Sequence, residues 1–179
     1  MRRTYELRLP QQARRVRILI VCRGNLCRSP MAAVLLRHAL PAARIESAGL
    51  AAVAGAPIEP HAQRALARLG LSNDGHRARQ FSLDALAAAD LVLAMEQRHI
   101  AALLALAPAA QSKCELLSRW LDHHDIDDPY GRSQAQFDEI CARIEACVRA
   151  WTPKLQTDAR IALACVSAHN CVVERDDVH

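Results

Sequence analysis

The chain has 179 residues, of which 51% are hydrophobic, 23% charged and only 3% aromatic, and its formal net charge is +4. This length fits one globular domain with its own core. So few aromatic residues disfavour a stacking platform for single-stranded nucleic acid, and no run of about 18 apolar residues predicts a membrane span. We therefore expect a cytoplasmic protein that neither binds nucleic acid nor inserts into a membrane.

Short apolar runs alternate with helix-forming segments along the chain. Four runs are apolar enough for buried strands and end at turns or polar loops. Helices are expected between them, with Ser29, Ser82 and Ser133 as N-terminal caps. The predicted strands are residues 16–21, 44–49, 90–95 and 113–118, and the predicted helices include one from Pro60 to just before Gly70, one from Glu96 to about Ala107, and one from Ser133 to near Pro153.

This alternation predicts an α/β fold, in which a central four-stranded parallel sheet carries helices on both faces. We expect a single domain over residues 15–155. Residues 1–14 form a basic N-terminal extension, and residues 156–179 form a C-terminal extension of unknown role. Because seven cysteines are an odd number in a chain of this size, they are expected to be thiols rather than a disulfide framework.

The loop after the first strand reads VCRGNLCRSP and is the strongest chemical signal in the sequence. Cys22 ends the strand, Arg28 begins the next helix, and Gly24 and Asn25 between them tolerate left-handed backbone. Such a loop turns its backbone N–H groups inward at the positive end of a helix dipole, which predicts a phosphate-binding loop. Arg28 can hold two phosphate oxygens with its planar guanidinium group.

The same positive field favours the thiolate form of Cys22, since thiols at helix N-termini and beside cations ionise more readily than free thiols. Ser29 can donate a further hydrogen bond to the sulfur. A thiolate below a bound phosphate is placed for in-line attack, which gives a cysteinyl-phosphate intermediate. The leaving group then needs an acid. Asp128 in the segment DDPYG is the best candidate, although the residues alone do not rank it above Asp122, Asp125 and Asp127.

Five segments together resemble the low-molecular-weight protein tyrosine phosphatase family: VCRGNLCRSPMA, SAGL, GHRARQ, DLVLAME and DDPYG, in this order from about Val16 to Trp151. The resemblance implies Cys22 as nucleophile, Arg28 as phosphate clamp, and Asp128 as general acid and then base. It implies Ser29 as a stabiliser of the thiolate, and it implies an enzyme that needs no cofactor. Asn25, Ser47 and His76 are implied to form a hydrogen-bond network that supports the loop.

The resemblance extends to the bacterial subgroup associated with exopolysaccharide systems, whose substrates are autophosphorylating tyrosine kinases. The expected partner is therefore a phosphotyrosine-containing protein, and the expected assembly is a monomer or weak oligomer. Arg23 replaces an apolar residue usual in the family and predicts a preference for acidic sequences, while Leu26 argues against the phosphoarginine branch. The predicted substrate-binding residues are Arg23, Gly24, Asn25, Leu26, Cys27, Ser29, Val53 and Tyr130.

Three alternatives remain open from the sequence. A thiol-linked arsenate reductase needs further redox cysteines, but Cys141 and Cys147 lie about 240° apart around a helix at 3.6 residues per turn. A non-catalytic phosphotyrosine-binding module would lack the thiol or the acid. Metal binding by one polar loop is the third alternative, but the spacing of its residues fixes no coordination geometry. The residues of that loop with ligand chemistry are His123, His124, Asp125, Asp127 and Asp128.

Cys27 suggests one regulatory hypothesis. In the family, a second cysteine in this loop can form a reversible disulfide with the nucleophile and protect it from overoxidation. A Cys27→Ala variant that recovers from peroxide as completely as the wild type would contradict this hypothesis.

Overall fold

The computed structural model describes residues 15–73 and 75–169, of which residues 157–169 are described by their backbone alone. Four strands and five α-helices alternate along these residues, with a 3₁₀ helix at Pro108–Lys113. The strands are β1 (Arg17–Cys22), β2 (Arg44–Gly49), β3 (Leu91–Ala94) and β4 (Cys114–Leu116). The helices are α1 (Arg28–Ala39), α2 (Pro60–Arg68), α3 (Leu83–Ala88), α4 (Gln97–Leu106) and α5 (Gln134–His169).

The four strands form one parallel sheet in the order β2-β1-β3-β4. β1 lies in the centre, where Cys22 pairs in register with Gly49 of β2, and Val21 pairs with Ala94 of β3. The carboxyl ends of β1, β2 and β3 therefore meet at one edge of the sheet. The loops that follow these ends face each other, as expected for a ligand site in such a fold.

Side chains of β1 alternate between two hydrophobic clusters because successive residues of a strand face opposite sides of the sheet. Ile18, Ile20 and Cys22 pack in the cluster that contains α1, α2 and α5. Leu19 and Val21 pack in the second cluster, which is built with residues of α3 and α4. Helices thus cover both faces, and the prediction of an α/β fold around a four-stranded parallel sheet is confirmed.

The predicted helix boundaries hold in part. Ser82 caps α3 by accepting a hydrogen bond from the backbone of Ala85, and the Gln136 side chain accepts one from the backbone of Ser133. The prediction that Ser29 caps α1 is wrong, because α1 begins at Arg28 and the side chain of Ser29 bonds within the loop site instead. The prediction that the last helix ends near Pro153 is also wrong, since α5 continues to His169.

The predicted N-terminal extension lies outside the described residues, whereas the predicted C-terminal extension is described as far as His169, as part of α5. Residues 1–14 and 170–179 lie outside the described residues, so the division into one domain and two extensions stays a prediction. Within the described residues, none of the helices combines the length and the apolarity that crossing a membrane requires.

Candidate active site

A pocket of about 350 Å³ opens at the carboxyl edge of the sheet, above the end of β1. It brings together the predicted nucleophile, the predicted phosphate clamp and the predicted acid, although residues 22 and 128 are far apart in the sequence. Its lining consists of Cys22, Arg23, Gly24, Leu26, Cys27, Arg28, Ala51, Val53, Asp128 and Tyr130. All of these except Ala51 were predicted from the sequence.

A larger depression of about 700 Å³ lies at the opposite end of the sheet, where β1 and β2 begin. Arginine side chains, among them Arg17 and Arg44, and a few apolar residues line it. Its described lining contains no thiol and no carboxylate, so it lacks the groups that covalent phosphate chemistry requires.

Polar groups surround the thiol of Cys22. The Cys22 Sγ atom lies 3.0 Å from the hydroxyl oxygen of Ser29 and accepts a hydrogen bond of 3.3 Å from the backbone N–H of Asn25. Cys22 is only 3% exposed and Ser29 is fully buried. Since the Ser29 hydroxyl oxygen also accepts from Asn25 Nδ2, its own proton is available to the sulfur.

Asn25 is the centre of a buried network that holds the loop. Its side-chain Nδ2 donates to the hydroxyl groups of Ser29 at 2.9 Å and Ser47 at 3.0 Å, and its Oδ1 accepts from the backbone N–H of Arg79 at 3.0 Å. Asn25 has a φ of 57°, whereas Gly24 has no positive φ, so asparagine alone supplies the left-handed residue of the loop. Asparagine is among the few residues besides glycine that adopt this conformation readily.

His76 supports the same residue from outside the loop. Its Nε2 lies 2.7 Å from the backbone carbonyl oxygen of Asn25, which can only accept, so Nε2 must carry the proton. Burial lowers the pKa of His76, and nearby arginines lower it further, against the opposing effect of this hydrogen bond. The ring is therefore neutral at neutral pH, and the predicted partners Ser47 and His76 both lie where they contact Asn25.

Arg28 is 1% exposed, and its guanidinium group is held in place through the Nη1 atom. Its Nη1 donates to Glu96 Oε1 at 2.6 Å and to the backbone carbonyl of Ile126 at 2.8 Å. Its Nη2 lies 2.6 Å from Asp128 Oδ2, and its Nε has no hydrogen-bond partner in the described part of the chain. The edge formed by Nε and Nη2 is thus the one available to an oxyanion in the pocket.

Glu96 was not predicted as a site residue. It lies two residues beyond the end of β3 and is 9% exposed. Burial tends to raise the pKa of Glu96, but hydrogen bonds from Arg98 and Arg28 outweigh this effect and lower it. Glu96 is therefore a carboxylate that fixes Arg28, and its position at the carboxyl end of a parallel strand was the signal in the sequence.

The four aspartates of the polar loop have different surroundings. Asp122 forms an ion pair with Arg143, and Asp125 accepts from the backbone N–H of Gln97. Only Asp128 of the four lines the pocket. The described residues contain no group of three His, Cys, Asp or Glu side chains arranged to hold a metal ion.

The sequence model of the low molecular weight phosphotyrosine protein phosphatases matches residues 17–161. The chain belongs to this family. Among its relatives, the low molecular weight protein-tyrosine-phosphatase Etp of Escherichia coli K12 is 38% identical over 138 residues, which cover 77% of this chain and 93% of Etp.

Solved structures resemble this phosphatase closely. The tyrosine phosphatase Wzb of Escherichia coli K30, in complex with sulphate, has a TM-score of 0.76 and 37% identity, covering 78% of this chain and 97% of Wzb. The YwlE arginine phosphatase of Geobacillus stearothermophilus also has a TM-score of 0.76, with 34% identity, covering 80% of this chain and 94% of YwlE. The fold therefore occurs with phosphatases of two named specificities.

Two cysteines considered for an arsenate reductase lie in the core of this phosphatase. Cys141 and Cys147 are 2% and 0% exposed on α5, and burial raises the pKa of each thiol to about 11. They have neither the exposure nor the ionisation that a redox pair needs.

Proposed function

We propose that this chain hydrolyses phosphotyrosine in proteins through a cysteinyl-phosphate intermediate, with Cys22 as nucleophile, Arg28 as phosphate clamp and Asp128 as general acid and base. One observation carries the proposal: Cys22, Arg28 and Asp128 line one pocket, and the Nε of Arg28 has no hydrogen-bond partner among the described residues. A thiol, a fixed guanidinium group and a carboxyl group are the parts that such a displacement needs.

Substrate binding exchanges one anion for another on Arg28. The phosphate group of the substrate takes the Nε and Nη2 edge of the guanidinium, and Asp128 leaves the Nη2 atom that it contacts at 2.6 Å. Glu96 keeps Nη1 in place during this exchange. The carboxyl of Asp128 is thereby released from its cationic partner and can reach the leaving group of the bound substrate.

In the first chemical step, the Cys22 thiolate attacks phosphorus and the bond to the tyrosyl oxygen breaks. Asp128 donates its proton to that oxygen, so tyrosine leaves as a neutral phenol rather than as a phenolate. The phosphoryl group is now bonded to sulfur, and Arg28 holds its oxygens. The proton has moved from enzyme to product, which leaves Asp128 ionised.

In the second step, Asp128 takes a proton from a water molecule that attacks the cysteinyl phosphate. The phosphorus–sulfur bond breaks, inorganic phosphate forms, and Cys22 leaves as a thiolate. The hydroxyl of Ser29 at 3.0 Å and the N–H of Asn25 at 3.3 Å stabilise this leaving thiolate. Asp128 ends protonated and the cycle is complete.

The substrate protein that we propose is an autophosphorylating tyrosine kinase of a bacterial exopolysaccharide system. Sequence likeness to that subgroup supports this choice. A cytosolic location fits this partner, and it is supported by the five described cysteines, all of which are free thiols.

Metal-free hydrolysis of p-nitrophenyl phosphate between about pH 4 and 9, in reducing buffer with EDTA, tests the catalytic roles. Cys22→Ser should lose at least about 10⁴-fold in kcat because no comparable nucleophile replaces the thiolate. Asp128→Asn should lose about 10²- to 10³-fold and change the pH dependence of kcat, since the acid is gone. A wild type that is inactive under these conditions, or a fully active Cys22→Ser variant, would refute the proposal.

Phosphoarginine is the second candidate substrate because YwlE, a relative of similar likeness, is an arginine phosphatase. Release of inorganic phosphate from a phosphotyrosine peptide and from a phosphoarginine peptide of the same sequence separates the two. We expect the phosphotyrosine peptide to be preferred, since Leu26 presents an apolar side chain to the pocket and offers nothing to bond a guanidinium group.

A further inference from the structure

His99 is a buried imidazole that the proposed reaction does not use. It lies in the first turn of α4 and is 4% exposed. Within the described residues, neither of its ring nitrogens has a hydrogen-bond partner. Buried polar side chains nearly always have a partner, so an unpaired ring at this depth calls for a functional explanation.

His99 lies beside the carboxylate that fixes Arg28. His99 Nε2 lies 3.5 Å from Glu96 Oε1, the same oxygen that accepts from Arg28 Nη1 at 2.6 Å. Arg98 donates to this oxygen at 2.9 Å and pairs with Oε2 at 2.6 Å. The two arginines and the imidazole therefore enclose Glu96.

We propose that His99 is a positioning residue for phosphate binding, and that it acts through Glu96 on Arg28. The neutral ring occupies the flank of Glu96 where water would otherwise solvate the carboxylate. With that flank closed, Oε1 stays on Arg28 Nη1, and the Nε and Nη2 edge stays directed at the pocket. This inference rests on the proposed function, and it adds the residue that keeps the phosphate clamp oriented.

The charge state of His99 is consistent with this role. The charged groups that face the ring are Glu96, Arg28, Arg98 and Asp128. Burial lowers the pKa of His99, and Arg28 and Arg98 lower it further, while Glu96 and Asp128 oppose them. The ring is therefore neutral at neutral pH. A protonated ring would place an additional positive charge beside Glu96 Oε1 and compete there with Arg28 Nη1.

The test compares substitutions of His99 in the full chain by the competitive inhibition constant of inorganic phosphate at neutral pH. His99→Leu removes the polar ring, and His99→Asn carries an amide too short to reach Glu96. His99→Gln places an amide nitrogen near the position of Nε2. We expect Leu and Asn to weaken phosphate binding about ten- to hundredfold, with a smaller change in kcat, and Gln to retain most of the affinity.

A matched control separates positioning from packing. Leu103 lies one turn further along α4, on the same face, and is fully buried. Leu103→Ala should lower the melting temperature at least as much as His99→Leu, yet leave the phosphate inhibition constant within about twofold of the wild type. If the Leu and Asn variants of His99 also keep that constant, His99 only packs and the inference is overturned.

The inference and the proposed function fail in different ways. If the wild type hydrolysed nothing, phosphate binding measured by calorimetry would still compare the variants of His99. An unchanged dissociation constant in His99→Asn would then overturn the role of His99 independently. The phosphate dissociation constant of the wild type, divided by that of His99→Gln, should also rise as the pH falls below 6.5. The reason is that only the wild type has an imidazole at position 99 that can be protonated.

Discussion

The side chain of Arg23 lies exposed at the rim of the pocket, next to the nucleophile in sequence. Acidic residues beside a phosphotyrosine can reach it, whereas neutral residues gain nothing from its charge. Replacing it by valine should lower kcat/KM about two- to fivefold for phosphopeptides rich in Asp and Glu, the scale of an exposed ion pair. Neutral peptides should change little. Steady-state kinetics on two matched peptides measures both effects.

Salt and a distant arginine supply the controls for Arg23. The difference between the peptides should shrink as ionic strength rises, because exposed charges are screened. Arg149→Val removes the same charge from α5, away from the pocket, and should leave both peptides unaffected. An equal loss on acidic and neutral peptides in Arg23→Val would refute a charge-based preference.

At the scale of single residues, the sequence predicts those whose chemistry is visible without contacts. Cys22 and Arg28 stand out in the loop VCRGNLCRSP, and Asp128 stands out in the segment DDPYG. The structure brings all three to one pocket. Glu96 was missed although it follows a predicted strand at the correct edge of the sheet. His99 could not be predicted, because its depth and its distance from Glu96 depend on how α4 packs.

At the scale of elements, the end of β2 supports the phosphate-binding loop through Gly49. A Cβ atom on Gly49 would lie 2.8 Å from the backbone oxygen of Arg23 and 2.9 Å from the backbone nitrogen of Asn25. Gly49→Ala must therefore push the loop away from β2. We expect a loss of about 1 to 3 kcal/mol in the free energy of unfolding, and a larger fractional loss of kcat/KM than of stability. Urea unfolding and kinetics measure the two.

Gly75→Ala is the matched control for this substitution. A Cβ on Gly75 would meet nothing within 4 Å, and its backbone has no positive φ. The control should therefore be neutral in both measurements. A Gly49→Ala variant with the stability and activity of Gly75→Ala would mean that the loop can move away from β2 without cost.

Predictions of elements succeeded where the pattern is local and failed where a side chain has a distant partner. The β2 strand occupies residues 44–49 as predicted, and most of its residues are buried. Ser29 fits the pattern of a helix cap, but its hydroxyl is bonded to Cys22 and Asn25, both outside the helix. Pro153 is a common stop signal, yet α5 carries it in its interior, since a proline removes one hydrogen bond without forbidding the helix.

At the scale of the whole molecule, buried and paired groups make stability depend on pH in a predictable direction. The pKa values of Glu46 and Glu96 are lowered below 4.5. At Glu46, hydrogen bonds from Arg79 and Arg44 lower the pKa against the effect of burial. At Glu96, burial tends to raise the pKa, but hydrogen bonds from Arg98 and Arg28 outweigh it. His76 and His99 have values lowered below 6.5, mainly by burial. In each case the unfolded chain binds protons more readily than the folded chain. Acid therefore favours unfolding, first through the histidines and then through the carboxylates.

The buried thiols give the opposite dependence in alkali. Burial raises the pKa of Cys141 and Cys147 from 9.0 to about 11, so only the unfolded chain loses these protons just above pH 9. Their contribution to stability is complete below 9 and is lost as the pH rises towards 11. The free energy of unfolding, measured in urea with a reductant, should thus be highest between about pH 6.5 and 9 and fall on both sides. Cys147→Ala should flatten the alkaline fall and leave the acidic one unchanged, whereas an acidic fall that disappeared with it would contradict this assignment of groups.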